Sequence, residues 1–109
     1  MIRILIKQKN DSLKYIHVSG HANSDDYGKD IVCAAVSVIT QTILMGISEI
    51  LKDNFIYNIN KGDLSFEIPE KMLYEDELRV DALTHTLTLG LQNIKNNYTN
   101  YIDIIKEEV

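Results

Sequence analysis

The chain has 109 residues, 45% hydrophobic and 25% charged, with a formal net charge of −5. That length fits one domain with one core, and the composition is that of a folded globular protein, which excludes disorder and a second domain. The acidic balance works against general binding to phosphate backbones and favours a basic partner, and the one cysteine excludes an intramolecular disulfide and implies no oxidising compartment.

The opening MIRILIKQKN lacks a long apolar stretch with a small-residue cleavage site, so no secretory signal is expected. Ile2, Ile4 and Ile6 alternate with Arg3, Leu5 and Lys7, which is strand periodicity. Turn residues at 9–12 and a second β-rich run then predict a hairpin of strands over 2–8 and 13–20. GHANSDDYGKD follows, a polar stretch that reads as a long loop of the kind that often carries function. Asp30 suits the N-cap of the next helix. Val32, Val36, Ile39, Ile43, Ile47 and Ile50 form one apolar face of that helix, and Ala34, Ala35, Val38 and Met45 cover much of the rest. Nearly all of it is therefore expected to be buried. Ile31 to Leu51 is also about as long as a bilayer span, but it carries Ser37, Thr40, Gln41, Thr42, Ser48 and Glu49 without flanking cationic clusters. A buried helix of a soluble protein is the expected reading, with no membrane partner.

Phe55 to Asn60 and Leu64 to Ile68 flank Lys61-Gly62 as a second hairpin, ended by Pro69. Glu75, Asp76 and Glu77 suit the first turn of a second helix, whose apolar stripe is Val80, Leu83, Leu87, Leu91 and Ile94. Tyr101 to Ile105 adds a last strand. The expected fold class is α+β: a single domain over 1–109, ordered ββαββαβ. Its mostly antiparallel sheet packs with one long buried helix and a second amphipathic one.

With Asp30 as N-cap, Cys33 becomes the third helical residue, where unpaired N–H groups and the positive end of the dipole stabilise a thiolate. Its stripe continues through Ser37, Thr40, Leu44 and Ser48, the least apolar side of the helix. A free cysteine is also often simply buried. His21 closes the second strand only twelve residues before Cys33, and a thiol–imidazole pair is the minimum for nucleophilic acyl transfer. His17 and His21 share a strand face but lie ~13 Å apart at strand rise, too far to share a metal. No metal or other cofactor is expected. Asp25 and Asp26 read as solvated loop charges, and His85 as a surface or interface residue. Tyr27 either contacts a ligand or decorates the surface. Gly28 is either a hinge or a turn glycine. Ser37 either bonds within the site or back to its helix.

The segment SGHANSDDYGKDIVCAAVS, residues 19–37, resembles the signature of a bacterial family, the ribosomal-processing cysteine proteases. Gly20, His21, Ala22, Gly28, Asp30, Cys33 and Ser37 all match its pattern of Gly-His-Ala, a variable loop, then Gly-x-Asp-Ile-Val-Cys-Ala-Ala-x-Ser. The layout of the remaining chain is also similar, except that Thr99-Asn100 stand where proline usually precedes the last strand.

The resemblance implies a cytoplasmic cysteine endopeptidase that trims a hydrophobic N-terminal extension, ending near paired phenylalanines, from the large-subunit ribosomal protein bL27. It implies Cys33 as nucleophile and His21 as general base. Asp30 and Ser37 would be supporting residues. Ala22, Asn23, Ser24, Asp25, Asp26, Tyr27, Gly28 and Lys29 would form a mobile cover over the peptide. It also implies a homodimer. No direct nucleic-acid partner is expected, because the charge balance is acidic and no Lys/Arg-aromatic stripe is present. The competing reading is a non-enzymatic module that binds a ribosomal protein or assists ribosome assembly. A redox cycle through an intramolecular disulfide is excluded because no second cysteine exists.

Overall fold

In the computed structural model, which describes residues 1–20 and 27–109, and side chains among the latter from 31 onward, the element order is ββαββαβ. Strands β1 (Ile2–Lys9) and β2 (Ser12–Ser19) form the opening hairpin. Asn10 and Asp11 between them both take positive φ, 51° and 66°, as a two-residue primed turn requires. The long helix α1 (Tyr27–Leu51) follows, then β3 (Ile56–Asn60), β4 (Asp63–Glu67), α2 (Tyr74–Asn97) and β5 (Ile102–Glu108). The sheet order is β3-β4-β2-β1-β5. Its pairs are antiparallel except β1 with β5, which run parallel.

Period-two alternation sends every second side chain to one face. The register aligns Ile104, Ile4, Val18, Leu64 and Ile59 in one row across all five strands, and Lys106, Ile6, Ile16, Phe66 and Tyr57 in the next. Ile4, Ile6, Ile16 and Phe66 are almost fully buried there and join one cluster with Val32, Val36, Ile47, Leu87 and Leu91 of the helices. Each such side chain contributes ~1.5–3 kcal/mol on burial. Both helices thus cover one face of the sheet. At their crossing, Gly90 of α2 lies so close to the Ile39 side chain of α1 that a Cβ would collide with it.

Three sequence expectations change. First, α1 begins at Tyr27, so Asp30 is its fourth residue and not its N-cap. Second, the helix is buried on one side only. Val32, Val36, Thr40, Ile43, Leu44 and Ile47 are inside, whereas Val38 and Met45 are each 67% exposed. Ile31–Leu51 is long and apolar enough to cross a membrane, and here its inner side completes the protein core. Third, β5 runs on to Glu108, beyond Ile105, because pairing with β1 up to Gln8 carries its polar end. The stripe of α2 is close to expectation, with Val80, Thr84, Leu87 and Leu91 buried.

Gly20, just past β2, has φ +116°, and a Cβ there would overlap the Met1 carbonyl oxygen. Positive φ of this kind costs a non-glycine residue ~1–3 kcal/mol, before the overlap is counted. Gly20→Ala is therefore expected to destabilise the fold by about 2 kcal/mol or more and to lower the melting midpoint by ~10 °C, read by thermal circular dichroism.

Candidate active site

The start of β1, the end of β2 and the β3–β4 turn converge at one end of the sheet. They form one wall of a groove through Ile2, Val18, Gly20, Ile59, Asn60, Lys61, Gly62, Asp63 and Leu64. The facing wall comes from α1, through Cys33, Val36, Ser37, Thr40 and Gln41. These positions recur at three- and four-residue steps, so they share one helix stripe. The groove has a volume of ≈ 540 Å³, in the range of binding pockets for small ligands and short segments.

Cys33, the chain's one cysteine, is a free, half-buried thiol on this wall. Ser37 lies one turn on and is exposed to the groove. Because α1 starts at Tyr27, Cys33 is its seventh residue and not its third. Its N–H is thus within the helical ladder, and the unpaired N–H groups of the helix start lie a turn earlier. The helix-start argument for a stabilised thiolate therefore does not hold here.

His21 lies outside the described residues, as do Ala22, Asn23, Ser24, Asp25 and Asp26. The residue before His21, Gly20, lines the groove. Its N–H donates to the Gly62 carbonyl at 3.1 Å, tying the end of β2 to the β3–β4 turn. Tyr27, Gly28 and Lys29 are helical, so the segment expected to cover the site does not extend past residue 26 as a loop. Gly28 is accordingly not a turn glycine.

His17 is half-exposed on β2. Its Nε2 lies 2.5 Å from Asp63 Oδ1, on the sheet face away from the helices, so it braces β2 against β4. His85 is exposed on α2. Among the described residues, no group of three His, Cys, Asp or Glu side chains is placed to hold a metal ion.

Sequence reasoning missed most of the groove. Gln41 was within reach, because it stands eight residues after Cys33 on the same helix face. Asn60, Lys61 and Asp63 gave no local signal; only the placement of β4 beside β2 brings them in. Thr40 belonged to the polar stripe of α1, but it forms the buried floor. It is 0% exposed, and its hydroxyl is the one buried side-chain polar atom among the described residues that lacks a hydrogen-bond partner.

The chain matches the family described as cysteine protease Prp over residues 1–103. A ribosomal processing cysteine protease Prp of Mycoplasma genitalium is 33% identical over 108 residues, covering 99% of this chain and 97% of that one. The Bacillus subtilis protein of the same name is 23% identical over 107 residues, covering 95% and 96%. The fold is also that of an essential ribosomal processing protease Prp from S. aureus, solved in complex with a substrate peptide. That structure has a TM-score of 0.81 and 20% identity, covering 98% of this chain and 100% of that one. A second S. aureus structure, with a covalently linked product peptide, has a TM-score of 0.79 and 22% identity, covering 98% and 100%. The fold and the match together define a cysteine protease. The chain belongs to the ribosomal-processing family, cysteine protease Prp.

An unpaired buried hydroxyl costs ~1–3 kcal/mol. Thr40→Val keeps the shape and removes that cost. It is expected to raise stability by ~1 kcal/mol, measured as a higher urea midpoint at unchanged m-value. A lower midpoint would show that the hydroxyl has a partner.

Proposed function

We propose that this chain is the endopeptidase that removes the N-terminal extension of ribosomal protein bL27, with Cys33 as nucleophile and His21 as general base. The observation that carries this reading is the place of the cysteine. A cysteine protease needs a thiol, and the chain's single thiol faces a groove large enough for peptide side chains. Gly20, covalently next to His21, lines the same groove.

His21 takes the thiol proton, and the Cys33 sulfur attacks the scissile carbonyl. The tetrahedral intermediate collapses to a thioester as His21 returns the proton to the leaving amine. His21 then activates a water that hydrolyses the thioester. Among the described residues of α1, the Ser37 hydroxyl, one turn from Cys33 on the groove wall, is the side-chain donor placed to serve the oxyanion. The reaction runs in the cytoplasm without metal or cofactor. A net charge of −5 suits a basic ribosomal protein and disfavours direct contact with nucleic acid or an anionic membrane.

The working form is a homodimer. Its contact is the outer side of α1, where Val38 and Met45 are each 67% exposed beside Ala34 and Thr42. The two large apolar side chains share one helix face two turns apart, which offers an apolar contact stripe.

A synthetic peptide whose apolar stretch ends in Phe-Phe tests the chemistry. Cys33→Ala and His21→Ala are each expected to lower kcat/KM by ~10³-fold or more while the far-ultraviolet spectrum stays unchanged. Cleavage by Cys33→Ala at the parent rate would overturn the assignment. Sedimentation equilibrium tests the dimer: the parent is expected at twice 12.5 kDa and Val38→Glu at the single mass.

A further inference from the structure

The two edges of the sheet are built differently. β5, at one edge, carries Asp103, Lys106, Glu107 and Glu108 among its seven residues. Charge along an edge is a usual defence against pairing with another chain. β3, at the other edge, reads IYNIN, with no charged residue and no proline. All five of its residues are exposed, with Ile56 at 71% and Ile59 at 45%.

The hairpin register shows which backbone groups of β3 are free. Asn60 and Asp63 flank the two-residue turn Lys61-Gly62 and pair with each other. Such a flanking pair exchanges both of its hydrogen bonds, and the ladder then alternates. Asn58 and Ile56 therefore bond to β4, while the N–H and C=O groups of Tyr57 and Ile59 point away from the sheet. Among the described residues, no backbone group pairs with them.

The side chains of those same two residues lie on the helix-covered face, in register with buried Phe66 and Leu64. Ile59 also lines the groove that holds Cys33. The free edge and the groove are therefore one continuous surface.

We propose that the substrate peptide binds by pairing with the free edge of β3 as a sixth strand. This rests on the reading of the chain as a peptidase. An extended peptide bonded to Tyr57 and Ile59 sends every second side chain toward the groove, where Ile59, Leu64 and Val18 offer an apolar wall. The backbone ladder supplies affinity without sequence preference, and the wall selects apolar residues at alternate positions. The uncharged composition of β3 is the requirement of that role, because a lysine or proline at Tyr57 or Ile59 would impair strand addition.

The test measures binding separately from chemistry. The Phe-Phe peptide, fluorescently labelled, is titrated against full-length Cys33→Ala, and each amide on the N-terminal side of the Phe-Phe pair is N-methylated in turn. Strand pairing predicts a two-residue period: Kd rises ~10-fold or more at alternate positions and stays within ~3-fold between them. Ile59→Pro removes one outward N–H at an edge site where proline is tolerated. It is expected to weaken the unmodified peptide ~10-fold with an unchanged melting midpoint. Should that variant fail to fold, the N-methyl scan decides alone. Uniform tolerance, uniform loss, or no binding of the unmodified peptide would overturn the proposal. So would Ile59→Pro dissociating a dimer at unchanged peptide affinity. Periodic binding to Cys33→Ala, with no cleavage by the parent chain, would instead overturn the peptidase reading and leave the edge-binding surface standing.

Discussion

The approach of Gly20 to the start of β1 holds the site end of the molecule together. At this point the end of β2 passes so near Met1 and Ile2 that no side chain fits between them, and the backbone takes a φ that only glycine adopts readily. From the same residue an N–H reaches across to Gly62. Two strands, β1 and β2, and the β3–β4 turn are thereby fixed around a single backbone position. The position of this groove wall follows from that contact. In sequence, Gly20 is only the first letter of a motif. In the fold it is where β2 must stop without a side chain.

The two walls of the groove come from different kinds of element. α1 brings the thiol and its polar neighbours on one rigid stripe, so Cys33, Ser37, Thr40 and Gln41 keep fixed spacing. The strands bring the opposing apolar wall from parts of the chain up to about sixty residues apart, Ile2 and Leu64 among them. The helices cover the middle of the sheet and leave its β3 side open, with Tyr57 and Ile59 both exposed. A fold that fully covered that side would have a larger core and no groove. The unpaired hydroxyl of Thr40 at the groove floor is of the same character, since stability there is below what the same shape would allow.

Elements with strong periodicity were legible in the sequence. Both hairpins, both helices and the ββαββαβ order follow from alternation, helical stripes and turn residues. The start of α1 was not. Gly28 and the acidic run before it have the composition of a loop, and Asp30 has the chemistry of a cap, yet the helix begins at Tyr27. Local preference was outweighed there, and the error moved Cys33 by four helical positions. The exposed side of α1 was misread for a different reason. Val38 and Met45 are apolar, and apolar character alone does not tell a core position from an exposed one. The thiol and its helix stripe were legible as a candidate site. The strand wall was not, because strand order is a long-range property that local patterns do not encode.

The parallel pairing of β1 with β5 also bears on how the protein is made. Ile2 donates its N–H to the Tyr101 carbonyl at 3.0 Å, and Ile102 is buried beside it. The strand that holds the start of β1 in place is thus synthesised about a hundred residues later. Closing so long a loop is entropically slow, and it must precede the full reward of the contact. The hairpin of β1 and β2 can form early, with an unguarded edge where β5 will lie. The strand wall behind Gly20 is completed only when residues 102–108 have left the ribosome and docked. A newly made chain would therefore pass through synthesis with its thiol in place and its groove unfinished, which delays peptide binding until the whole domain is free.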